Sequence, residues 1–492
     1  MDQNSSLIIS DLQPYLVVLS DLSTKDRFSK KKAIEQVNIL ALQNTKEWEK
    51  KNLNVLFSEL QEHLLLWGHS DIEYIREKTV SIIESFMTQV DQPMDTIVKT
   101  SLDRLKLEPT EEIRQLWLDV LITLIKQQQQ KINLDPPMDD TWFGIIKLTV
   151  LDTCPDVVKK SANLLILLIE YQPKAISLRG EHTIHDCIIP LLSHKHTAIR
   201  VLGIKAFHRQ LLCSSQGLSN LSELFIKLIH DHSPLVRTAF YSSMCDLMIS
   251  LSPMDRYSHA EQLLPIFFSG IADELESICT LCQLGLEKLG RICSQDLIDA
   301  GIMDSIEENE KVDTGLKHIV HQSFDSCLKR LMGDSNDFII SKKVTALSAL
   351  HQFLIYTAKE DMIRKNKWII QRLMVIIASP TTSITTETDQ LVKAQLDKVI
   401  CTIGEKLSWP ILLDQLLPRL EKQHLIHEAS HLPASVAVAS ISDIFITLGK
   451  SPFYDQLDSD CLQKIKLTLT SAHLKPYFDT DTYSTLTQLY IK

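Results

Sequence analysis

The sequence predicts an all-α fold, an α-solenoid of HEAT/armadillo-type helical hairpin repeats. Three observations carry that prediction. Glycine is scarce, with 13 in 492 residues, well below the usual ~7% and too few for the tight turns of β-rich or dinucleotide-binding folds. Leu, Ile, Lys, Glu and Gln, which lose little rotamer freedom in a helix, are abundant. A turn signature also recurs: a polar cluster, then a β-branched residue, then a cation. A 492-residue single globule is unusual, whereas stacked repeats need to contact only their neighbours.

The signature appears as Ile75-Arg76 after GHSDIEY, Ile113-Arg114 after LEPTEE and Val158-Lys159 after DTCPDV. It continues as Ile199-Arg200 after SHKHTA, Val236-Arg237 after DHSPL and Ile278-Cys279 after ADELES, where the cation is replaced. The cation positions lie 38, 45, 41, 37 and 42 residues apart, around the period of HEAT and armadillo units. Each unit reads as a first apolar helix, a polar turn that caps the second, and the second helix. The β-branched residue (Val236 is the example) is expected to point inward. The cations Arg76, Arg114, Lys159, Arg200 and Arg237 are expected at the turns, where each can pair with an acid of the adjacent repeat. The second helix then buries a stripe such as Val201, Ile204, Phe207 and Leu211. Prolines at Pro190, Pro265 and Pro418 are read as kinks inside first helices.

In chain order, Leu7–Leu42 reads as a first hairpin, with Lys30-Lys31-Lys32 as a solvated helix start, and Leu53–Val90 as a second. The polar stretch Lys126–Thr141 reads as a loop between repeats. Residues 1–298 form the first repeat array. An acidic, weakly periodic loop follows at 299–315, and a less regular array fills 316–492. Roughly ten to twelve hairpins are expected at the usual period.

The formal charge of −11 disfavours nucleic acid or an anionic membrane as partner. The ten cysteines are scattered through apolar runs and read as buried thiols of a reducing compartment. The start MDQNSSLIIS lacks a basic region followed by an apolar core, and the longest apolar run is Leu164–Ile169. A cytoplasmic protein is therefore expected. No P-loop, GxGxxG, GxSxG, HExxH or kinase signature occurs, so no enzyme and no cofactor are expected. His182, His185, His194 and His196 with Cys187 fit no zinc module, and the lone Cys279-x-x-Cys282 reads as core packing. The Ser/Thr-rich stretch 379–389 reads as a loop.

The segments SHKHTAIRVLGIKA (193–206), HDHSPLVRTAF (230–240) and DRYSHAEQLLPIFFSGIADELESI (255–278) resemble three consecutive repeats of the dynein axonemal assembly factor 5 family, also known as HEAT repeat-containing protein 2. Asp255-Arg256-Tyr257-Ser258 and Leu263-Leu264-Pro265-Ile266 stand in the family's order, and LDKVICTIGEKLSWPILLDQLLPRLEK (396–422) resembles its later repeats. The resemblance covers about residues 150–290 and extends to about 425; members of the family run longer. It implies a non-enzymatic cytoplasmic scaffold for preassembly of axonemal dynein arms. The implied partners are dynein heavy or intermediate chains, chaperones and other assembly factors. The repeat pattern by itself equally suits a scaffold of a phosphatase or signalling complex, or an importin-type transport receptor.

Overall fold

The computed structural model describes residues 3–20, 26–43, 48–90, 95–128, 138–173, 181–214, 222–379, 386–426 and 432–491. These residues are helices and turns with no strand among them. The chain divides into two compact units, Met1–Gly217 and Leu218–Lys492. Both are stacks of helical hairpins, so the fold is the all-α solenoid.

The first unit holds α1 (Gln3–Ser20), α2 (Arg27–Asn38), α3 (Lys50–Trp67), α4 (Glu73–Met87), α5 (Asp95–Leu107) and α6 (Glu111–Gln128). It continues with α7 (Met138–Thr149), α8 (Pro155–Tyr171), α9 (Glu181–Leu192) and α10 (Thr197–Cys213). Even-numbered helices pack on one another in a row, α2 on α4, α4 on α6, α6 on α8 and α8 on α10; α7 packs between α5 and α9. The sequence explains this layering. In α8 the buried set is Val157, Val158, Ser161, Ala162, Leu164, Leu165, Leu168 and Ile169, a face broad enough to meet the neighbours on either side and its own partner helix. In α10 the buried set includes Ile204, Phe207 and Leu211, while Val201 is only half-buried. Gly203 lets α10 approach α9, since a Cβ there would lie 2.8 Å from the Leu191 Cβ.

The second unit holds α11 (Ser222–Ile229), α12 (Pro234–Ser250), α13 (Pro253–Ser258), α14 (Ala260–Ile271), α15 (Glu276–Asp299), α16 (Lys311–Asp334), α17 (Ile340–Tyr356), α18 (Lys359–Arg364), α19 (Asn366–Ala378) and α20 (Thr386–Leu407). After these come α21 (Trp409–Leu416), α22 (Lys422–Ile426), α23 (Ala434–Gly449), α24 (Ser459–Leu469) and α25 (Thr480–Leu486). Pro190 and Pro265 lie inside α9 and α14 as expected. Pro418 does not continue a helix: α21 stops at Leu416, and Leu417–Leu420 forms a 3₁₀ turn. A proline removes one helical donor and crowds the carbonyl four residues back, and here that ends the helix.

Stacking changes order in the middle of this unit. Through α15, second helices pack on second helices, as α12 does on α15. The next hairpin departs from this order: its first helix, α16, packs on both α15 and α14, and its second, α17, also packs on α14. Phe268 of α14 meets Phe353 and Tyr356 of α17 with centroids 5.9 Å and 6.3 Å apart. The α15–α16 contact is close enough to require two glycines. A Cβ on Gly290 would lie 2.5 Å from the Val312 carbonyl oxygen, and one on Gly315 would overlap the Gly290 oxygen at 1.9 Å. The acidic stretch 299–315 sits at this change of order, and its last residues, from Lys311, already belong to α16.

Candidate functional site

The turns between paired helices share one geometry, built from three positions. A polar residue two before the N-cap of the second helix is absent of regular structure, and its side chain accepts the N-cap amide. Thus Ile72 N–H donates to Ser70 Oγ (3.2 Å), Thr110 N–H to Glu108 Oε1 (3.2 Å), Cys154 N–H to Asp152 Oδ1 (2.8 Å) and His196 N–H to His194 Nδ1 (3.0 Å). In the second unit Ser233 N–H donates to Asp231 Oδ1 (2.8 Å), Leu275 N–H to Asp273 Oδ1 (3.0 Å) and Ile339 N–H to Asp337 Oδ1 (2.8 Å). This is an Asx-type turn, and it fixes where the following helix begins.

The residue six positions after that polar side chain reaches back over the turn. Arg76 Nη1 donates to the Ser70 carbonyl (2.9 Å), Arg114 Nη1 to Glu108 (3.0 Å), Arg200 Nη1 to His194 (2.9 Å) and Arg237 Nη1 to Asp231 (2.9 Å). Where arginine is replaced, the Cys279 thiol makes the same reach to the Asp273 carbonyl at 3.0 Å. The residue before each is apolar and buried; Val236 is fully so.

The structure corrects the register of one turn. Counting six from Asp152 gives Val158, and Val158 N–H indeed donates to Cys154 O at 3.2 Å. Val157 and Val158 are both fully buried. Lys159 therefore lies one residue past the turn position and pairs along its own helix with Asp156 at 2.8 Å, both side chains exposed. With Val158 in place, the turn positions are 38, 44, 42, 37 and 42 residues apart.

Three of the arginines also reach the capping carboxylate of the next turn, which ties consecutive repeats. Arg76 grips Glu108 with Nε (2.9 Å) and Nη2 (2.8 Å), and Arg104 adds a third bond at 3.0 Å. The Glu108 side chain has no exposed surface. Burial pushes its carboxyl up, but the Arg76 bonds, the Thr110 N–H and Arg104 outweigh that and hold it below the usual carboxylate range. Arg114 pairs with Asp152 at 2.8 Å. Arg237 holds Asp273 through Nε (2.9 Å) and Nη2 (3.2 Å), and Glu274 at 2.8 Å. Burial disfavours the Arg237 charge, and these carboxylates more than compensate, so its guanidinium is held above its ordinary value. At the Val158 turn no such tie forms towards the next repeat: the turn position carries an alkyl chain, and the capping position there is His194.

Sequence reasoning missed Glu108, Asp152 and Asp273 as acceptors, and it missed Lys343. The signal was present: a Ser, Glu, His or Asp six residues before each of the turn arginines Arg76, Arg114, Arg200 and Arg237, and Asp337 six before Lys343. Lys343 is buried and turns forward, donating to the Ile376 and Ser379 carbonyls at 3.2 Å each. Burial pushes its ammonium below the ordinary lysine range. The DRYS segment is α13, a strap. Its Arg256 is buried and donates to the carbonyls of Met248 (3.1 Å) and Leu251 (2.7 Å) while pairing with Asp296 of α15.

Two clefts open between neighbouring second helices of the second unit. One, between α12 and α15, includes Ser242, Asp246, Ile249, Thr280, Leu284 and Lys288. The other, between α17 and α20, includes His351, Ile355, Asp397, Lys398, Thr402 and Glu405. Leu284 and Ile355 remain exposed on these surfaces. Such shallow, mixed linings suit contact with another protein surface.

Among the described residues no group of three or more His, Cys, Asp or Glu is placed to hold a metal ion. The His182 side chain lies outside the described residues, as do 129–137 of the polar loop and 380–385 of the Ser/Thr stretch. Cys282 is buried against Gly270, and burial pushes the Cys279 thiol up. No described helix is long and apolar enough to cross a membrane.

Comparison with known proteins gives these matches. A family model described as dynein axonemal assembly factor 5-like, TPR repeats, matches residues 21–296. A fruit-fly (Drosophila melanogaster) protein named dynein axonemal assembly factor 5 is 22% identical over 371 residues, 69% of this chain and 42% of its own length. The human protein of the same name is 22% identical over 253 residues, 49% of this chain and 29% of its own. The chain thus spans less than half the length of either relative. Among solved structures, yeast importin-β aligns with a TM-score of 0.39 at 12% identity, covering 99% of this chain and 65% of that one. A superposition that loose carries no argument. The family description speaks of TPR repeats; three of the five turn spacings here, 42–44 residues, are those of the longer HEAT-type unit, and the other two, 37 and 38, lie between it and the TPR unit of about 34.

Proposed function

The chain belongs to the dynein axonemal assembly factor 5-like repeat family, and on that premise we propose that it is a non-enzymatic scaffold for the cytoplasmic preassembly of axonemal dynein arms. The match over residues 21–296 is the observation that carries this reading. Its proposed partners are dynein heavy and intermediate chains, chaperones and other assembly factors. The fold supports the mode of action. Stacked hairpins expose long rows of helix surface, on which a large client can be held through many weak contacts.

Within this proposal the turn residues Arg76, Arg114, Arg200, Val236 and Arg237, with Val158 in the place first given to Lys159, serve cohesion between repeats. Client contact falls to the exposed helix rows and the clefts beside Leu284 and Ile355. We also propose that the repeats form two arrays, 1–298 and 316–492, about the acidic stretch 299–315.

The test is affinity capture of the full chain from cells building motile cilia, with bound proteins identified in the soluble, non-axonemal fraction. Recovery of dynein heavy and intermediate chains is expected. Recovery instead of a Ran-type GTPase with cargo, or of phosphatase subunits, would move the function to those classes.

A further inference from the structure

Ser408 is the one non-glycine residue with positive φ among those described, at φ 68° and ψ 158°. An L-residue there brings its Cβ against the backbone, and glycine is the residue that occupies such positions without strain. Ser408 is both the stop of α20 and the start of α21. Its N–H donates to the Gly404 carbonyl (3.0 Å) and its carbonyl accepts from Leu412 N–H (3.1 Å), while its side chain makes no cap. The backbone is thus satisfied, and the serine side chain contributes nothing visible that would justify the conformation.

The next residue shows what holds the corner. Trp409 is buried at 1% exposure. Its ring stacks on Phe453 at 4.9 Å and 16°, and its Nε1–H donates to the Phe453 carbonyl at 3.1 Å. Tyr490 meets the same indole edge-on at 6.4 Å. Gly404, one turn earlier, lies so close that a Cβ there would stand 2.7 Å from Leu448 Cδ2 and 3.2 Å from the Phe453 ring. Both sides of Ser408 are therefore pinned to Leu448 and Phe453, and the intervening backbone takes up the mismatch.

We propose that Ser408 is a strained latch. The Trp409 anchor holds α21 closed against the Phe453 and Tyr490 rings, and backbone strain at Ser408 favours its release. Opening of α21 then breaks the indole anchor together with the buried contacts of Leu412, Leu413 and Leu416, and the unfavourable dihedral at Ser408 offsets part of that cost.

Amide hydrogen exchange of the full chain tests this. Ser408→Gly removes the strain and keeps the anchor, so exchange of the α21 amides 411–416 should slow by about tenfold, with α20 and α23 unchanged. Ser408→Ala keeps the Cβ and should match the wild type. Three results overturn the proposal: unchanged or faster exchange in Ser408→Gly, slowing spread evenly over 386–491, or equal slowing in Ser408→Ala.

Discussion

Glu108 and His194 occupy the same place in two turns of the first unit, and opposite chemistry surrounds them. Each caps the amide two residues on and each is followed six residues later by an arginine that closes the turn. Glu108, however, is wrapped by Arg76 from the preceding repeat and by Arg104, whereas for His194 the corresponding position of the preceding repeat is Val158, an alkyl side chain. One junction is tied by ions and apolar packing together; the other lacks the ionic tie. The cap and the reach over the turn are thus the constant part of the repeat. The inter-repeat ion pair is an addition that a junction can lack when both of its members change.

Removing the acid should separate the two turns most strongly. Glu108→Ala leaves two arginines buried without their counter-charge, and urea unfolding should show a loss of about 3–5 kcal/mol. His194→Ala removes a single cap and should cost about 1 kcal/mol. Equal losses would mean that the buried ion pairs carry no weight. Val236→Asp tests the apolar partner of the turn arginine. A carboxylate in that fully buried position should cost several kcal/mol and disorder its repeat, and an unchanged melting curve would contradict the inward placement.

Acid should sharpen the comparison, because both turns weaken as pH falls but in different windows. The Glu108 pKa is lowered in the fold, so its contribution is complete above the unfolded value of ~4.3 and fades as pH drops through the folded value. His194 is also lowered, by burial first and then by His196, Lys195 and Arg200. A base with a depressed pKa folds best when neutral, so its turn should begin to loosen below the unfolded value of ~6.5. Hydrogen exchange at pH 7, 5.5 and 4 should show residues 193–200 opening before 108–114. The reverse order would sink the assignment.

The sequence made the repeat legible because period and composition are properties of the chain alone. Six turn signatures at near-regular spacing, one of them out of phase by a residue, were enough to read helical hairpins, and Arg76, Arg114 and Arg237 could be expected to meet an acid of the adjacent repeat. Which acid could not be read, because Glu108, Asp152 and Asp273 are ordinary turn residues until the repeats stack. The DTCPDVVKK turn was misread by one residue because Val157, Val158 and Lys159 offer the β-branched–cation pair only at the wrong phase; the cap from Asp152 decides the matter. Pro418 read as a kink because the apolar run continues through it, and only the Leu416 stop shows that the proline ends the helix. The altered packing at α16 left its trace in two glycines, Gly290 and Gly315, whose close approach depends on tertiary structure.

The smallest expected effect is at Lys159. Its pair with Asp156 is exposed and screened by solvent, so Lys159→Ala should leave the denaturation midpoint nearly unmoved.

The most direct test of the turn register, on which the whole account of the repeats rests, compares Val158→Asp with Lys159→Asp in urea unfolding of the full chain. The account predicts a loss of several kcal/mol for Val158→Asp, with a carboxylate forced into the packed face of α8, and a change within about 0.5 kcal/mol for Lys159→Asp. A large loss at Lys159 with little effect at Val158 would contradict it.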